Sequence, residues 1–139
     1  MHLPRLLLVA AALFVLPASS WAAGPETAEA RAVADRWIAE VDAGNYAGSW
    51  AQASASLRRE MPIAQWQAYA DALRGRLGAM QERKVVSAEA TTSLEGMPRG
   101  QYVRIDYQTA FERRKRARET VGLRLEADGS WRVLGYFMR

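Results

Sequence analysis

The sequence predicts an α+β domain: three N-terminal helices packed on one face of an antiparallel sheet of about four strands. Two observations carry this. Apolar residues recur at helical spacing as far as Gly78, and from about Lys84 the period changes to alternation. A third bounds it, because residues 23–139 are enough for one domain and contain no cysteine, so packing alone must hold the core.

The elements follow in order. Arg5, an apolar run from Leu6 to Leu16, Pro17 and the small-residue site Ser20-Trp21-Ala22 read as an export signal with cleavage after Ala22. The run is too short to span a bilayer. Residues 1–22 are therefore expected to be a signal peptide, residues 23–139 a single domain, and the location periplasmic or secreted, with no stable membrane insertion after cleavage. Thr27 is the expected N-cap of a first helix carrying Ala30, Val33, Ala34, Trp37, Ile38 and Val41 on one face and ending at Gly44. Asn45 caps a second helix with Tyr46, Trp50, Ala53 and Leu57 as its stripe. Pro62 opens a third, where Trp66, Ala70, Leu73 and Leu77 align before Gly78.

The strands begin with a weaker segment, Val85 to Thr92, and a loop over Glu95 to Gly100. From Gln101 to Arg113, Val103, Ile105, Tyr107, Thr109 and Phe111 face one way and Tyr102, Arg104, Asp106, Gln108 and Glu112 the other. Val121, Leu123 and Leu125 repeat the alternation, and Asp128-Gly129 supplies a turn. In the last strand Trp131, Val133, Gly135 and Phe137 should line one face, leaving Leu134, Tyr136 and Met138 pointing away from the helices. Those three are interface candidates for a homodimer through the sheet, with a strand that curls to cover both faces as the alternative.

The chain resembles a family of short exported bacterial proteins, the domain-of-unknown-function family numbered 4019, within the cone-shaped nuclear-transport-factor-2-like (cystatin-like) superfamily. The residues that carry the resemblance are Trp37, Asp42, Tyr46, Trp50, Trp66, Arg76, Gly78, Arg83, Gly100, Tyr102, Tyr107, Phe111, Glu119, Trp131, Gly135 and Tyr136. It implies a curved sheet wrapped around helices, with a pocket inside, and no established activity.

Candidate chemistry is sparse. The sole histidine, His2, lies in the signal segment, so no zinc or copper site, no metal and no cofactor are expected. Catalytic nucleophiles lack a base. Carboxylates remain, and on the expected elements Asp35, Glu40, Asp42, Asp71 and Asp106 fall off the apolar faces. Glu119 shares the parity of Val121 and so faces the helices, with Arg113 its expected partner in an ion pair. Arg113, Arg114, Lys115, Arg116 and Arg118 form a basic surface patch at a hairpin turn, a feature that can also deter edge pairing. Export argues against a nucleic-acid partner. Trp37, Tyr46, Trp50, Trp66, Tyr107, Phe111, Glu119 and Trp131 are the pocket-lining candidates, most of them equally at home in a core.

These residues favour a non-enzymatic module that binds an apolar small molecule or an envelope protein. The alternative is a small acid/base enzyme of isomerase or dehydratase type, using a buried carboxylate in the cone pocket.

Overall fold

The computed structural model describes residues 25–139, so the expected signal segment lies outside the described residues. Four helices, α1 (Pro25–Asp42), α2 (Tyr46–Gln52), α3 (Ala55–Glu60) and α4 (Ile63–Leu77), precede four strands. The strands β1 (Met80–Thr91), β2 (Tyr102–Phe111), β3 (Ala117–Leu125) and β4 (Trp131–Met138) form one antiparallel sheet in sequence order, curved and unclosed. The fold is α+β, with the helices before the sheet.

The helices follow their apolar spacing. Ala30, Ala34, Trp37, Ile38 and Val41 of α1 are buried, and Gly44 takes a positive φ of 76° just beyond it. Thr27, expected as the cap, instead sits buried inside the first turn. Asn45 does cap α2, its side chain accepting from the Gly48 N–H at 3.1 Å. The expected second helix is two helices, because the extended pair Ala53-Ser54 pulls the chain onto the sheet. The Ser54 N–H donates to the Val133 carbonyl at 2.8 Å, and the Ser54 hydroxyl then accepts from the Leu57 N–H to start α3. That backbone bond to the sheet competes successfully with helical continuation.

In β2 the expected alternation holds, with Val103, Ile105, Tyr107, Thr109 and Phe111 buried toward the helices. In β4 it fails halfway. Gly122 pairs with Gly135 and Leu123 with Val133, so Leu134 is an extra residue, a β-bulge that shifts every later side chain to the other face. Tyr136 and Met138 consequently turn toward the helices, Tyr136 being buried, and Phe137 is exposed on the opposite face. The facing expected for Gly135, Tyr136, Phe137 and Met138 is thus corrected.

The core between the layers is aromatic. Trp37 lies 5.5 Å from Trp66 and 5.5 Å from Tyr136 between ring centroids. Three indoles find acceptors: Trp37 donates to the Ser49 carbonyl, Trp66 to the Ser49 hydroxyl and the half-buried Trp50 to the Met61 carbonyl. These bonds fasten the short α2 to its neighbours.

Candidate functional site

A four-member charge cluster crosses the interface between helices and sheet. Asp42 at the end of α1 accepts from Arg74 of α4 at 2.6 Å and, in bidentate fashion, from Arg83 of β1 at 2.6 and 2.9 Å. Glu119 of β3, fully buried, accepts from the Arg83 Nε at 2.9 Å and lies 3.4 Å from an Arg74 nitrogen. The hydroxyls of Thr109 and Tyr136 donate to the two oxygens of Glu119. The Arg74 guanidinium stands 5.1 Å over the Phe111 ring. Two cations face two anions, so the group is neutral, and of its buried polar atoms only the Arg74 Nε has no hydrogen-bond partner among the described residues.

The electrostatics agree with that description. Burial raises the Asp42 carboxyl, yet the Arg83 and Arg74 guanidiniums outweigh it and hold its pKa below the ordinary 3.8. Burial and then the neighbouring Glu119 push the Tyr136 phenol above its ordinary 10.0. Tyr107 is raised likewise, by burial and by its 2.8 Å bond to Asp35. An acid held ionised between two arginines donates no proton near neutrality, and phenols whose pKa is raised above 10.0 stay protonated there.

The outer face of the sheet, with the β4 edge where Glu60 of α3 and Tyr69 of α4 border it, carries a different feature. A groove of about 650 Å³ is lined by Leu94 and Met97 of the β1–β2 loop, Tyr102, Leu134, Phe137 and Tyr69 of α4. This volume falls within the usual range for small-molecule sites. Its floor includes Gly122 and Gly135, paired across β3 and β4, so at one point the sheet presents bare backbone between larger side chains. The Phe137 ring leans over Gly135, about 3 Å from where a Cβ there would sit. Above Gly122 the space is open: a Cβ there would meet nothing nearer than 4.0 Å. The Tyr102 hydroxyl donates to the Pro98 carbonyl at 2.6 Å and ties the β1–β2 loop to the rim. Arg104, also on the rim, is engaged by Asp106, which accepts from Ser87 and Thr120 as well. Those bonds, with Arg104, hold the Asp106 carboxyl below 3.8 against the opposing effect of burial.

The profile of the protein family described as "Protein of unknown function (DUF4019)" matches residues 33–136, which include both the charge cluster and the paired glycines. The chain belongs to the DUF4019 family. No curated protein matches it.

In this DUF4019 protein the sequence-predicted residues fall into three groups. Trp37, Tyr46, Trp50, Trp66, Tyr107, Phe111, Glu119 and Trp131 all lie in or against the core between the layers, and none of them lines the open-face groove. Trp37 and Trp131 also reach a shallower depression between α1 and the β3–β4 turn. Arg113 does not meet Glu119. It falls past the end of β2, where its guanidinium donates to the Gly75 carbonyl at 2.8 Å, and Arg74 and Arg83 take the place expected for it. Of the interface candidates, Leu134 lines the groove, Met138 packs against the core and reaches only the groove's edge, and Tyr136 belongs to the cluster.

Sequence reasoning missed Asp42, Arg74 and Arg83 as partners, although the phase of the pattern contained them. Arg74 follows Ala70 by four residues and precedes Leu77 by three, placing it on the buried stripe of α4. Arg83 has the parity of Val85, and Asp42 lies one turn beyond Ile38. Charged residues in step with an apolar face, two acids and two bases in number, are the signal of a buried network.

Proposed function

We propose that this protein is an exported, non-enzymatic binding module whose ligand, an apolar or amphiphilic small molecule, lies in the open-face groove over Gly122. The observation that carries the reading is the bare glycine floor between Tyr102, Leu134 and Phe137. A central strand gives up packing and β-propensity by placing glycine there, and a ligand approaching the backbone is the return. An acid/base enzyme is disfavoured because Glu119 and Asp42 are each held by two arginines, away from the groove. Export is supported by the pattern of residues 5–22.

Native mass spectrometry of the protein isolated gently from its host tests this. A retained small molecule that is absent from the Gly122→Leu variant is the expected result. The added Cβ has open space, 4.0 Å from the nearest backbone atom, and points away from the charge cluster. A ligand-free dimer that Gly122→Leu converts to monomer would overturn the reading in favour of an interface between copies.

A further inference from the structure

Next to the apolar groove, on the same sheet face, lies a cluster of arginines. Alternation along β3 puts Arg118, Thr120 and Gly122 on one face. Arg118 and Arg139 exchange both backbone hydrogen bonds, so the two side chains stand side by side at one end of the sheet. With Gln108, Arg114 and Arg116 they line a second depression of about 390 Å³. Arg139 borders both depressions, so they are adjacent. Arg114, Arg116, Arg118 and Arg139 form no ion pair among the described residues, unlike Arg104, which Asp106 engages. Gly122 lies four positions along β3 from Arg118, roughly 13 Å of strand.

An apolar trough ending in unpaired guanidiniums matches one kind of molecule. Resting on the proposed binding function, we infer that the ligand is a monomeric anionic amphiphile, a single alkyl chain bearing a phosphate or carboxylate head. The chain lies over Gly122 between Tyr102 and Phe137. The head is received by Arg118 and Arg139, with Arg114 and Arg116 beside them. Arginine suits this role because its planar donor fork meets carboxylate or phosphate oxygens in pairs and stays charged throughout. The basic run that stands out in the sequence thereby acquires a use beyond solvation of a turn.

Three probes separate chain from head. By titration calorimetry, dodecyl phosphate below its micelle concentration should bind one to one and at least tenfold more tightly than uncharged dodecyl maltoside. Methyl phosphate, a head without a chain, should bind at least a hundredfold more weakly. The double variant Arg116→Ser/Arg118→Ser should lose at least tenfold in affinity for dodecyl phosphate while its affinity for dodecyl maltoside is unchanged. Gly122→Leu should weaken both. Equal affinity for the charged and uncharged probes, or an undiminished Arg116→Ser/Arg118→Ser variant, overturns the anionic head and leaves the binding reading standing. Failure of both chain-bearing probes to bind overturns the two together. Cosedimentation with phosphatidylglycerol vesicles that survives Gly122→Leu would assign the arginines to a bilayer surface and overturn the monomeric ligand.

Discussion

Glu119 shows how one carboxylate can serve the fold without serving chemistry. It is wholly buried, and an ionised group there is tolerable only because Arg83, Arg74, Thr109 and Tyr136 surround its two oxygens. Removing one member of such a cluster costs more than the cluster contributes, since the partners stay buried with their charge uncompensated. Glu119→Gln keeps the shape and one acceptor but leaves the two arginines facing Asp42 alone. A loss of about 3 kcal/mol is expected, with Tm lower by roughly 10 °C. Thermal unfolding followed by circular dichroism checks it, with exposed Asp71→Asn as the control that should not move. An unchanged Tm for Glu119→Gln would mean that the cluster contributes nothing to stability and would reopen a chemical role for the residue.

At the scale of elements, what the sequence allowed to be read depended on whether neighbours in the chain were also the deciding neighbours in space. The helical stripe of α1 and the alternation of β2 are local patterns, and both appear in the structure as expected. The break between α2 and α3 is not local. Tyr46, Trp50, Ala53 and Leu57 keep helical spacing, but the carbonyl of Val133, far along the chain in β4, captures the Ser54 N–H. The β4 bulge is similar: one extra residue at Leu134 reverses Tyr136 and Phe137, and alternation carries no mark of it. As a result the groove was not legible, while the core aromatics that border no such groove were. Ser54 permits a direct measurement, because its hydroxyl holds the first turn of α3 and touches Ser56. Ser54→Ala should lower the unfolding free energy by about 1 kcal/mol, read as a shift of the urea midpoint at constant slope. No shift would mean that the contact with the sheet alone defines the break.

For the molecule as a whole, pH response follows from which groups the fold perturbs. Residues 25–139 contain no histidine, so no side chain with an ordinary pKa near neutrality titrates there. Asp42 and Asp106 have folded pKa values below the ordinary 3.8. Their stabilisation is therefore present above that value and lost as pH falls through the depressed folded values. Tyr107 and Tyr136 are raised above 10.0, so their contribution is present below pH 10 and lost as pH rises beyond it. Together these predict a broad plateau of Tm from about pH 5 to 9, falling below about pH 4 and above about pH 10. Asp42→Asn should lower the plateau and flatten its acid limb, because the group whose protonation weakens the fold is gone while its buried arginine partners remain. Scanning calorimetry of both proteins between pH 2 and 11 reads this out. A steep loss of stability between pH 7 and 5 would contradict it, since none of the groups perturbed in this way changes charge there, and would require a carboxylate whose pKa the fold raises.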